Sequence, residues 1–173
     1  LLVDTMREAL AGLDDALAGA TDPLDALRRY VAFHIEFHAV RRDAVFIGNA
    51  ELRSLSAAHF AEVVAMRNAY EQRLCDVLRR GEAAGVFRPG DVRVAASALI
   101  AMMSGVCTWY RAAGRLQVAD LVVQYTRMVL GSVGVEPVPP RPPRPSGRIT
   151  TGPRAGPPPV TGRARPRRPA SGR

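Results

Sequence analysis

The sequence predicts an all-α domain of about five to six helices, followed by a disordered, basic tail. Two observations predict the helices. Apolar residues recur at helical spacing in several segments bounded by capping residues, and no segment of useful length alternates apolar and polar residues as a half-buried strand would. The tail is predicted by composition. Residues 137–173 hold nine arginines, no acidic residue and twelve of the 14 prolines. Residues 1–136 hold 15 arginines against 16 acidic residues, so the formal charge of +8 belongs to the tail and not to the folded surface. Proline, glycine and arginine supply too little apolar area to offset chain entropy, so residues 135–173 are expected to stay unfolded beside a folded domain over 1–134.

In chain order, residues 1–19 read as an amphipathic helix with Val3, Met6, Leu10, Leu13 and Leu17 on one stripe. It opens in mid-pattern without a cap, and a natural upstream segment is expected. Asp22, Pro23 and Asp25 then form a helix start, with a capping side chain, a proline suited to the first turn, and an acid at the capping-box position. That helix should run to about Val40. Leu24, Leu27, Val31, Ile35 and His38 make one face, and Tyr30, Phe33 and Phe37 another, with His34 beside them. Residues 41–55 are less regular. Phe46 and Ile47 are expected to be buried, and Gly48-Asn49 reads as a break.

Residues 56–81 form the clearest long helix, with Phe60, Val63, Val64, Arg67, Tyr70, Leu74, Val77 and Leu78 on one stripe. Gly85 is a C-cap and residues 86–90 a turn. Asp91 caps the next helix, within DVRVAASALIAMMSGVCTWYRAAG. This stretch is uncharged from Val94 to Tyr110 and apolar on more than one side, which demands burial on more than one side. Seventeen residues at about 1.5 Å each span roughly 25 Å, short of a hydrocarbon core of about 30 Å, and Ser97, Ser104, Gly105 and Thr108 weaken a membrane reading further. It is expected to be the domain's central helix. A last helix from about Gln117 to Leu130 carries Val118, Leu121, Val122, Tyr125, Met128 and Val129 on one face, closed by Gly131 and Gly134.

Cys75 and Cys107 stand alone on separate helices, which excludes a disulfide framework or a zinc spacing and suits reduced core thiols in a cytoplasmic protein. His34 and His38 lie at i, i+4, a spacing at which two imidazoles can share a metal. No third ligand is evident among His59, Asp43 and Glu36, so a polar pocket wall is the preferred reading and no metal or cofactor is expected. Arg67 interrupts an apolar stripe and calls for an internal partner such as Glu51 or Glu71, or for an acidic ligand. No nucleophile elbow, phosphate loop or zinc-protease signature is present, and catalysis is not expected. Phe33, Phe37, Phe60, Tyr70, Met102, Met103 and Trp109, with His34 and Arg67, are candidates to line an apolar cavity, although any one of them can equally be core.

Several motifs occur in a telling order: Asn49-Ala50-Glu51-Leu52-Arg53-Ser54-Leu55, Tyr70-Glu71, Gly81 with Gly85-Val86-Phe87, Asp91, then Thr108-Trp109-Tyr110-Arg111 and Gly114. The set resembles the C-terminal regulatory domain of TetR-family transcriptional regulators, and most of all those of lipid and steroid catabolism that sense acyl-CoA-type ligands. The resemblance covers residues 1–134. It implies a homodimer formed by the last two long helices, and an apolar or acyl-type effector held among the earlier ones. Small residues in the uncharged stretch agree with close helix approach, and the expected interface comprises Ala98, Ala101, Gly105, Val118, Val122, Tyr125 and Val129. The family's N-terminal helix-turn-helix has no room before Leu1, so operator DNA would be engaged through a domain absent from these residues. The competing reading is a stand-alone helical dimerisation or adaptor module whose basic tail holds nucleic acid without sequence preference.

Overall fold

The computed structural model describes residues 2–50, 52 and 55–135. The segment 49–55, the Glu51 proposed as a partner of Arg67, and the tail with its nucleic-acid reading lie wholly or partly outside these residues. Among the described residues there are helices and no strand: α1 (Leu2–Ala18), α2 (Pro23–Val40), α3 (Arg42–Ala50), α4 (Ala57–Ala83), α5 (Val92–Ser104), the single turn α6 (Val106–Trp109) and α7 (Val118–Ser132).

The starts are set by the expected side chains. Asp22 accepts from the Asp25 N–H at 2.8 Å, while the Asp25 carboxylate reaches back to the Thr21 N–H at 3.2 Å. Ser56 accepts from the His59 N–H, and Asp91 from the N–H groups of both Arg93 and Val94 at 2.9 and 3.0 Å. Each satisfies donors that a helix leaves without partners in its first turn. At the end of α4, Gly85 turns the chain at φ +70° and lets the N–H groups of Val86 and Phe87 both return to the Gly81 carbonyl. Phe87 then folds over Gly81 into the core, only 1% exposed.

The organising element is α2, not the uncharged stretch. α2 packs against each of the other six helices, and its Leu27, Tyr30, Val31, His34 and Ile35 are buried. Leu13 of α1, Leu74, Val77 and Leu78 of α4, Leu99 and Met103 of α5, and Leu121 and Val129 of α7 complete one core. The uncharged stretch divides at Gly105, where the Thr108 N–H and the Thr108 hydroxyl both donate to the Gly105 carbonyl and tighten the chain into α6. By length and composition residues Val92–Trp109 meet the requirement for crossing a membrane, with mean hydropathy 1.5 and 28% of them buried in the bundle. The alanine flank of α5, with Ala98 and Ala101, faces outward.

Three further expectations are corrected. Residues 42–50 are helical straight through Gly48-Asn49, because α3 is held by packing on α1, α2 and α6 and by Arg42 Nε donating to the Cys107 carbonyl at 3.0 Å. Ile47 is exposed, and the Phe46 side chain lies outside the described residues. In α1 the buried stripe is Leu2, Thr5, Ala9 and Leu13, rotated from the stripe of larger residues that periodicity picks out.

Candidate functional site

A cavity of about 320 Å³ lies among five helices. α1 lines it with Leu2, Thr5, Met6 and Ala9, and α2 with His34, Phe37 and His38. α3 adds Val45, α4 adds Arg67, Tyr70 and Glu71, and α5 adds Ile100 and Ser104. The space exists because α1 presents small residues, Thr5 and Ala9, where α2 and α4 bring rings. Its volume is at the lower end of the range for small-molecule sites, roughly 300–1,000 Å³.

His34 is at its centre. Nδ1 lies 3.1 Å from the Tyr70 hydroxyl and Nε2 3.1 Å from the Ser104 hydroxyl, so α2, α4 and α5 meet on one imidazole. His38 stacks on it with centroids 3.9 Å apart and rings 6° from parallel, and its Nδ1 donates to the His34 carbonyl at 2.9 Å. Burial, and secondarily the neighbouring His38, hold the His34 imidazole well below the usual histidine range. Burial lowers His38 in the same direction, partly offset by its bond to the His34 carbonyl. Burial also raises the Tyr70 hydroxyl and depresses the half-buried Arg67 guanidinium. The hydrogen-bonded centre of His34, Tyr70 and Ser104 is therefore polar and uncharged, while Arg67 and Glu71 bring opposite charges to the same lining. Among the described residues no group of three histidine, cysteine or acidic side chains is placed to hold a metal.

The structure brings His34, Phe37, Arg67 and Tyr70 of the expected pocket set to the cavity, and not the others. Phe33 covers Gly12, where a Cβ would stand 2.6 Å from its ring, at the contact of α1 with α2. Phe60 is 48% exposed in the first turn of α4, Met103 is core, Met102 packs half-buried against the core, and Trp109 is 49% exposed on α6. Thr5, Ala9, Val45, Ile100 and Ser104 were not legible as lining. For Thr5, Ala9 and Ser104 the available signal was small size within otherwise apolar stripes; Val45 and Ile100 carried none.

Of the expected interface, Ala98 and Ala101 are exposed on α5, and Gly105, Val118 and Val122 are half-buried. Tyr125 and Val129 are corrected: they are 7% and 0% exposed and belong to the protomer's own core. The apolar residues that α7 turns outward are Val123 and Met128, the latter expected on the buried face.

Comparison with known proteins follows the same outline. Among curated proteins no sequence matches the chain. Of solved structures, it resembles a regulatory protein of the TetR family from Rhodococcus RHA1 (TM-score 0.69, 26% identity, 79% of this chain and 74% of that one). It also resembles the ketosteroid transcriptional regulator KstR2 of Mycobacterium tuberculosis (TM-score 0.72, 25% identity, 79% and 70%). A third is the TetR-family regulator PfmR of Thermus thermophilus (TM-score 0.67, 29% identity, 76% and 74%). A family model described as the tetracyclin repressor-like C-terminal domain matches residues 20–133. The chain thus belongs to the TetR family of transcriptional regulators and carries that family's C-terminal helical domain.

Proposed function

We propose that this domain senses a small apolar or acyl-type effector in the cavity among α1 to α5, and that two copies pair through the outward faces of α5, α6 and α7. The observation that carries the sensing role is the cavity itself, in which five helices stop short of close packing around a neutral polar centre. A partly open, largely apolar cleft with a few convergent polar groups is the kind of site that takes a small molecule. That KstR2 is named a ketosteroid regulator supports an apolar effector. An occupant would touch α1, α2, α3, α4 and α5 at once and favour one arrangement of them over another. Repression would follow from that choice, with operator DNA in the cytoplasm engaged by another part of the regulator. The domain's work is binding, not catalysis.

Thermal denaturation with a panel of fatty acyl and sterol-like compounds tests the sensing role. A compound present at a hundred times its Kd adds about 2.7 kcal/mol and raises the melting temperature by several degrees. Met6→Trp, which pushes a larger side chain from α1 into the cavity, should abolish that rise while leaving the fold intact. A rise unchanged in Met6→Trp would place the site elsewhere.

A further inference from the structure

Three polar groups of the cavity form one connected chain. Ser104 on α5 meets His34 on α2, and His34 meets Tyr70 on α4, each contact at 3.1 Å. A neutral imidazole has one donor nitrogen and one acceptor nitrogen, so the two hydroxyls cannot play the same part. With the proton on Nε2, Ser104 accepts it and turns its own O–H toward the cavity, while Tyr70 donates to Nδ1. With the proton on Nδ1, Tyr70 accepts, Ser104 donates to Nε2, and only Ser104 lone pairs face the cavity. Moving one proton across the ring therefore converts the wall hydroxyl from donor to acceptor.

Nothing in this hydrogen-bonded chain can balance a charge. His34 is 1% exposed and its burial disfavours the imidazolium. His38, stacked face to face on it, is held neutral by the same burial. The charged lining residues Arg67 and Glu71 are one helical turn apart on α4 and opposite in sign, so the cavity has no excess charge to offer. A carboxylate brought against Ser104 would give up its hydration to a wall whose one cation, Arg67, is matched by Glu71, whereas a hydroxyl or carbonyl gives up far less and gains a matched hydrogen bond. Leu2, Met6, Ala9, Phe37, Val45 and Ile100 make the hydrocarbon part of the wall and suit an apolar chain.

We infer that the effector is an uncharged, lipid-like molecule bearing a hydroxyl or carbonyl oxygen, and that this oxygen docks on Ser104 at the open end of the Ser104–His34–Tyr70 chain. The inference rests on the sensing role proposed above and narrows its ligand.

Octane, octanol, octanone and octanoate share a skeleton and differ at one end, and titrating each into the full chain and into Ser104→Ala separates the possibilities. Octanol and octanone should bind wild type at least about tenfold tighter than octanoate. Ser104→Ala should weaken both about tenfold, or about 1.4 kcal/mol, and leave octane unchanged. Ser104 is half-buried on a helix where alanine is favourable, so the variant should fold. Tyr70→Phe, which leaves the chain without its far end, should reduce the same preference by a smaller factor. Octanoate binding as tightly as octanol overturns the inference, as does a Ser104→Ala variant that weakens all ligands equally or none. Binding without discrimination removes this inference alone. If none of the four binds wild type, the sensing role falls and takes the inference with it.

Discussion

His34 is where the core and the cavity share one side chain, and its buried, neutral state makes folding depend on pH. The folded chain holds the imidazole well below its ordinary value, chiefly by burial, while the unfolded chain protonates it near 6.5. Stability is therefore complete above about pH 6.5 and declines beneath it, because the unfolded state then binds a proton that the folded state does not, until the depressed folded pKa is reached. One such group contributes a slope of at most about 1.4 kcal/mol per pH unit. His38, shifted the same way, adds to it. Urea denaturation between about pH 7.5 and pH 5 should show this decline, and His34→Gln should flatten it. The Asp14 carboxyl, held low by its hydrogen bonds from Arg73, acts in a different window. Its stabilisation is lost only as the pH falls below about 3.8, so the two effects separate cleanly. A second contrast concerns two neighbouring phenols. Burial, and secondarily the nearby Tyr70, push the Tyr30 hydroxyl up, yet it lies outside hydrogen-bond geometry. Tyr30→Phe should change stability by less than about 1 kcal/mol, since no bond is lost. Tyr70→Phe strands a buried His34 nitrogen and should cost about 1–3 kcal/mol in the same denaturation measurement.

At the scale of elements, the end of α4 shows how a missing side chain fixes a helix. A methyl on Gly81 would stand 1.8 Å from the Phe87 ring, and that ring is enclosed on its other side by the core. Gly81→Ala should cost about 1–3 kcal/mol by overpacking. Gly131→Ala, in α7 with nothing within 4 Å, should stabilise by up to about 1 kcal/mol through helix propensity. Calorimetric melting of the pair would test both signs. Features of this local kind were legible in the sequence: Asp22, Ser56, Asp91 and Gly85 announce their helix ends because a cap involves residues only a few positions apart. Features decided by tertiary contacts were not. Gly48-Asn49 reads as a break until α3 is seen resting on α1, α2 and α6. The turn at Gly105 depends on Thr108 bonding back to its carbonyl, which a run of apolar residues conceals. The cavity was half legible, through His34, Phe37, Arg67 and Tyr70, because rings and charges stand out in a stripe. Thr5, Ala9 and Ser104, whose small size opens the space, do not.

Across the whole molecule, apolar periodicity shows that a face is covered but not what covers it, and α7 is the case in point. The stripe containing Tyr125 and Val129 is satisfied by the protomer itself, which leaves Val123 and Met128 outside. On α5 and α6 the outward residues are Val94, Ala98, Ala101 and Trp109, small enough through the middle for another helix to lie close. A second copy related by a two-fold axis would cover both strips with their own counterparts. Ala98→Arg and Val123→Asp should then turn a dimer into a monomer in sedimentation at micromolar concentration while leaving the monomer's helical content unchanged. Val129→Ala should do the reverse, costing on the order of 2 kcal/mol of folding stability without changing the subunit contact. Should Val129→Ala dissociate the dimer and Ala98→Arg leave it whole, the interface lies on another face of the bundle, and the outward apolar strip of α5 needs a different occupant.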